Sequence, residues 1–258
     1  MQATLSTAPD TRMPSTPHLI RLIAWRAAIE SLRDRTTLLV SAFFSVAFPT
    51  FVVLTSIRPA AARATTPQQE AALGGLIAVY LFAVGLLPTS TSTGVAAGLF
   101  AGEKEQGNLA PLLASPASNI AIFGGKVLGA VIPAIFYALV AEALFIIEIA
   151  VLAGPEWLRR IPLVLALSMV GLVPAVAVFG ATVASLISSR VRTYNSAQQI
   201  SSFVLVPVLF AFVFLGVNLQ TWGAAGPLVA VLATAGVDVA LITIAARTWR
   251  REEVLARQ

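Results

Sequence analysis

Three acidic residues, Glu142, Glu148 and Asp238, fall within or near long apolar runs. A carboxylate at membrane depth costs several kcal/mol unless it is paired or hydrated. Such a residue therefore contacts a cation, serves as a proton site or bonds to a neighbouring helix. At about 1.5 Å per residue from Lys126, Glu142 lies roughly 24 Å along its helix and Glu148 roughly 33 Å. Glu148 is then near an interface, whereas Glu142 and Asp238 are deep. The hydroxyl run Thr89-Ser90-Thr91-Ser92-Thr93 follows Pro88. Thr89, Ser90 and Thr93 are candidates to line a polar path; the alternative is that the hydroxyls bond back to their own helix. The densest polar stretch is 99–126, with Glu103, Lys104, Glu105, Gly107, Pro116 and Lys126 around an amphipathic 109–113 segment. Its charges and loop backbone would go unsatisfied in hydrocarbon, so it belongs at or beyond a membrane face. The chain has no cysteine, which excludes disulfides and thiolate metal sites. Its single histidine, His18, excludes a histidine metal cluster or triad. No catalytic, cofactor-binding or metal-binding residue is assigned on this chain.

The elements that carry these residues follow from composition. Hydrophobic residues make up 57% of the 258 residues and charged residues 11%, against roughly 25% charged in a soluble domain. Mean hydropathy is +0.86. The fold class is an all-α membrane protein. Residues 1–17 are a polar, flexible tail. Residues 18–36 interleave Leu19, Ile20, Leu22, Ile23, Ile29 and Leu32 with Arg21, Arg26, Arg33 and Arg35, and include Trp25. They are predicted to form a basic amphipathic helix in the membrane interface. Six spans follow, at about 37–57, 71–99, 127–153, 161–188, 200–217 and 227–246. A basic tail, 247–258, closes the chain. The first span is full length behind a long polar lead, unlike a cleaved signal peptide.

With both termini inside, inner segments hold thirteen of the 17 Lys and Arg residues and outer segments only Arg58, Arg63, Arg159 and Arg160. The positive-inside rule then makes the 100–118 loop cytoplasmic. The net charge of +5 is explained by these flanks, without nucleic acid. Pro49, Pro88, Pro133, Pro174 and Pro207 put one proline in each of the first five spans, where each removes a helix hydrogen bond. Gly94-x-x-x-Gly98 and Gly125-x-x-x-Gly129 permit close helix packing.

Two catalytic motifs fail. Gly124-Gly125-Lys126 has Ile120 where a phosphate-binding loop needs glycine and Val127 where it needs Ser or Thr. Glu252-Glu253-x-x-x-Arg257 is similar to the first motif of CAAX-type membrane proteases, which need membrane-embedded histidines that this chain lacks.

One resemblance holds. Glu103-Lys104-Glu105-x-Gly107-x-Leu109-x-x-Leu112-Leu113-x-Ser115-Pro116, then Gly125-Lys126, resembles the loop after the second membrane helix of ABC-2 type permeases. These are the membrane subunits of ATP-driven exporters with the type V fold. Asn108 and Ala110 stand where the family usually has Thr and Glu. The resemblance implies a coupling helix within 102–116, seated in a groove of a separate ATPase subunit that holds ATP and Mg. Glu103, Lys104, Glu105, Gly107, Leu109, Leu112, Leu113 and Pro116 would form that contact. It also implies a second copy or a homologue as partner, the lipid bilayer of a prokaryotic cell membrane and export of a small molecule by alternating access. Two other classes stay open: a membrane scaffold or regulator that binds a cytosolic partner through the same loop, and a secondary transporter coupled to ions through Glu142 and Asp238.

Overall fold

The computed structural model describes residues 15–107, 117–219 and 225–248. Nine α-helices account for nearly all of them. They are α1 (Thr16–Arg33), α2 (Arg35–Val52), α3 (Arg58–Arg63), α4 (Pro67–Glu105), α5 (Asn119–Glu148), α6 (Glu156–Arg160), α7 (Leu163–Arg190), α8 (Tyr194–Leu219) and α9 (Ala225–Thr248). Single π-helical turns, Val53–Ile57 and Ile149–Ala153, extend α2 and α5. Among the described residues, five stretches are long and apolar enough to cross a membrane: Arg35–Arg63, Pro67–Glu105, Asn119–Ala153, Leu163–Arg190 and Leu228–Ala245. The helix α8 is 26 residues long.

Local sequence explains the helix starts. Asp34 caps α2, its carboxylate accepting from the Thr37 amide at 2.9 Å. The Thr37 hydroxyl bonds to the same oxygen, and together the two bonds hold the exposed Asp34 carboxyl below its usual range. Thr66 and Gln69 form a reciprocal capping box at the head of α4, with Pro67 in the first turn. Ser118 caps α5 by accepting from the Ala121 amide at 3.1 Å. The far end of α4 stops at Gly107, whose φ of +69° suits glycine.

The centre of the bundle is α4, which packs mainly on α7, then on α5 and α8. Ala96, Phe100, Phe123 and Ala181 anchor a core near its Glu105 end. Ile77, Phe145, Ile149 and Trp157 anchor another near its Pro67 end. Many large apolar side chains face outward, including Phe51, Phe136 and Phe210, with Phe203 84% exposed. In water such a surface would be an aggregation liability; in hydrocarbon it is the solvated face.

Several expected boundaries move. The second helix continues through Glu105, so the turn begins at Gln106 rather than at 100. The reason is that Glu103 and Lys104 find partners within the bundle, as described below. The expected loop at 58–70 is mostly helical, because Arg58–Arg63 continues the first long helix and α4 begins at Pro67. All five helix prolines lie inside helices, as expected.

The helix α1 ends at Arg33, short of the expected 36. One face of it, with Ile23, Ala24 and Ala27, seats on α5. A Cβ built on Gly125 would come 2.8 Å from the Ile23 Cβ, and one on Gly129 would strike Ala27 and the Ala24 carbonyl. The Gly125-x-x-x-Gly129 pattern is therefore the seat of α1. Gly94 has open space beside it, and only Gly98 meets a neighbour, the Tyr194 ring.

Opposite signs are expected for two identical substitutions. Gly129→Ala should lower the melting temperature in detergent, since overpacking costs about 1–3 kcal/mol. Gly94→Ala should raise stability by about 0.5–1 kcal/mol through helix propensity. Equal shifts would mean that α1 does not seat on Gly129.

Candidate functional site

The polar residues of the 99–126 stretch converge where α4 ends and α5 begins. Lys126 is almost fully buried, with only 4% of its side chain exposed. A buried ammonium must satisfy its donors. Its Nζ donates to the Leu99 carbonyl at 2.6 Å and to the Glu103 carboxylate, and sits 4.9 Å from the centre of the Phe100 ring. The Leu99 carbonyl and the Glu103 side chain come from the same face of α4, one turn apart. Phe100 in turn stacks on Phe123 of α5, with ring centroids 5.8 Å apart.

The next residue points to a different helix. Lys104 donates to the carbonyls of Ser189 at 3.0 Å and Val191 at 3.3 Å, where α7 ends. These carbonyls lie at a helix C-terminus, where a cation is favoured. Fully buried Ser188 completes the join. Its hydroxyl donates to the Ala97 carbonyl at 2.5 Å and accepts from the amides of Phe100 at 3.2 Å and Ala101 at 3.0 Å. The last turns of α4 are thus fastened to α5 on one side and α7 on the other.

The candidate contact residues therefore divide. Glu103 and Lys104 are partly buried within the clamp, whereas Glu105 and Gly107 are exposed at the tip. Leu109, Leu112, Leu113 and Pro116 lie outside the described residues. Sequence reasoning gave Lys126 and Ser188 no role of their own. The only signal was the Gly125-Lys126 pair.

The path candidates sit further along the bundle. Thr89, Ser90, Thr91 and Ser92 donate to carbonyls three residues earlier at 2.6–2.7 Å, which is the back-bonding alternative. Thr89, Ser90 and Thr93 nevertheless line a cavity of about 20 Å³ with Val176, Gly180 and Leu205. A void of that size holds about one water. Glu142 is buried beside this seam, where a Cβ on Gly85 would come 2.5 Å from its Oε1 and 2.9 Å from Val173. Neither Glu142 Oε1 nor Asp238 Oδ1 has a hydrogen-bond partner among the described residues. No hydrogen bond or ion pair there joins these two acids. Glu148 accepts from the Thr50 hydroxyl at 2.6 Å, which ties α5 to α2. The described residues contain no cluster of three or more His, Asp or Glu that could hold a metal ion.

The two kinds of buried charge should respond differently to removal. Lys126→Ala strands the Glu103 carboxylate and leaves a gap beside Leu99 and Phe100, and should cost about 2–4 kcal/mol in detergent unfolding. Glu142→Met replaces an unpartnered acid with an apolar side chain of similar shape, and should leave stability unchanged or raise it by about 1 kcal/mol. A large loss from Glu142→Met would mean that the carboxyl has a structural partner.

A family model described as ABC-2 type transporter matches residues 18–222. No curated protein matches the chain.

Proposed function

The chain belongs to the ABC-2 type transporter family, and from that membership we propose that it is the membrane subunit of an ATP-driven exporter. The subunit is a multi-pass membrane protein. In the proposed arrangement six spans cross the cell membrane of a prokaryote, with α8 the fifth and both termini cytoplasmic. The placement of Lys and Arg supports that orientation. ATP and Mg reside on a separate ATPase subunit, and this chain carries no cofactor.

The observation that carries the reading is the construction of the Glu105 end. The charged motif caps the longest helix of the bundle, is fastened to its neighbours and presents Glu105 and Gly107 outward. A segment seated in an ATPase groove needs such a rigid base, because a loose loop would absorb the movement it is meant to transmit. Glu105 pairs with basic residues of the ATPase, and Leu109, Leu112 and Leu113 fill an apolar cleft there. Glu103 contributes indirectly, through Lys126.

The partner across the membrane is a second copy or a homologue. The outward face of α8 supports this arrangement. Asn195, Gln198, Gln199 and Ser202 line an open groove of about 670 Å³ with Phe203 and Pro207. These amides lie at the start of the fifth span, where a facing helix of the partner can bond them. The substrate is a small molecule: a drug, lipid-like compound, peptide or ion. Short outer turns leave no large domain to grip a polymer.

A second reading has one observation in its favour. The unpartnered oxygens of Glu142 and Asp238 suit a carrier driven by ions. Transport by the purified chain alone in liposomes would support it.

Pull-down from native membranes separates these readings. An ATPase subunit should co-purify with the wild-type chain, and Glu105→Lys or Leu112→Asp should reduce its recovery roughly tenfold, as expected for loss of contacts worth a little over 1 kcal/mol. Absence of any ATPase after mild crosslinking would refute the exporter reading.

A further inference from the structure

We propose that Lys126 is a positioning residue for transport: with Glu103, Lys104 and Ser188 it joins the ends of α4, α5 and α7 into one rigid collar that carries the ATPase stroke into the membrane. The inference rests on the exporter reading and assigns the transmitting element within it.

The argument begins with where α4 is bonded. Among the described residues, its side-chain hydrogen bonds to other long helices all fall between Ala97 and its Glu105 end. Further along, the hydroxyls of Thr89–Ser92 bond to their own helix and leave α4 and α7 in side-chain contact around a small cavity. Beyond the Glu70–Arg160 ion pair at the Pro67 end, the seam is fastened at the Glu105 end and held between the two by mainly apolar packing. Apolar contacts can shift register at low cost, whereas a buried charge network has few acceptable geometries.

Neighbouring residues on a helix diverge by about 100°, so Glu103 and Lys104 reach two different helices from one turn. The collar also takes in α1. Gly125, beside Lys126, is in van der Waals range of Ile23 and Ile20, and Gly129 seats Ala24 and Ala27. A push arriving after Glu105 meets α4 and α5 at their junction and moves α1 and α7 with them. A buried ion pair is a poor source of net stability compared with apolar packing. What it supplies here is fixed geometry between helix ends.

The chain has no cysteine, so Thr65→Cys gives a single labelling site just before α4, at the end remote from Lys126. A fluorophore there reports movement of the far end. The complex with its co-purifying ATPase is reconstituted in liposomes, and the response to Mg-ATP plus vanadate is recorded. The label should respond in the otherwise wild-type chain. Lys126→Met and Glu103→Ala should keep the ATPase bound and hydrolysing yet reduce the response roughly tenfold, within the range of measured coupling changes. Glu103→Gln, whose amide oxygen still accepts from Lys126, should retain most of it, a rescue that loss of bulk packing does not explain. Should Lys126→Met fail to assemble, Lys104→Met cuts the other strut and should also lower the response. A full response in the assembled Lys126→Met or Lys104→Met complex overturns the collar. Failure of any ATPase to co-purify with the wild-type chain overturns the exporter reading, and the collar with it.

Discussion

One ammonium group organises the Glu105 end of the bundle. Lys126 is buried where desolvation is costly, and it is tolerated because Leu99, Glu103 and Phe100 of α4 surround it. Its position fixes where α4 may end relative to α5. Lys104 and Ser188 make the corresponding join to α7. Gly125 and Gly129, on the same turns of α5, leave room for α1 to lie against it. Four helices thereby share one junction, and the exposed tip beyond Glu105 is built on it.

The rest of the bundle answers to a different constraint. Outward apolar side chains such as Phe203 and Phe210 need hydrocarbon around them. Inside that medium every polar group must find a partner or a reason to lack one. The hydroxyls of Thr89–Ser92 in α4 bond to their own backbone. Glu70 and Arg160 pair at 3.0 Å at the opposite end, beside Trp157, and close the bundle there. Among the described residues Glu142 and Asp238 are two of the exceptions, with the hydroxyls of Ser41, Thr182, Ser185 and Ser201, and both acids lie between packed helices rather than at an end. The polar joins between α4 and its neighbours thus sit at its two ends, with mainly apolar packing between them.

Much of this was legible in the chain. Hydropathy located the long helices, because about twenty apolar residues in a row have few other uses. The ordered Glu103–Pro116 motif indicated the family. Caps at Asp34, Thr66 and Ser118 have ordinary N-cap residues. The direction of each charge was not legible. Glu103, Lys104 and Glu105 are adjacent letters, yet the first faces α5, the second faces α7 and the third faces out. That division depends on Lys126, 23 residues away, and on carbonyls near residue 190, neither of which a local pattern records. The seat of α1 was hidden for a similar reason. Its Ile and Leu residues suggested a stripe in the membrane interface, whereas Leu19, Ile20 and Ile23 pack inward with Ala24 and Ala27, against glycines a hundred positions away.

The most direct test is photo-crosslinking from Glu105→Cys, made in this cysteine-free chain and carrying a photoreactive label, with Thr65→Cys as the control at the other end of α4. In native membranes the probe at position 105 should form an adduct with an ATPase subunit, and the probe at 65 should form none. Adducts at neither position, with both probes labelled and the chain intact, would contradict the account: the fastened end of α4 would then have no ATPase to receive force from.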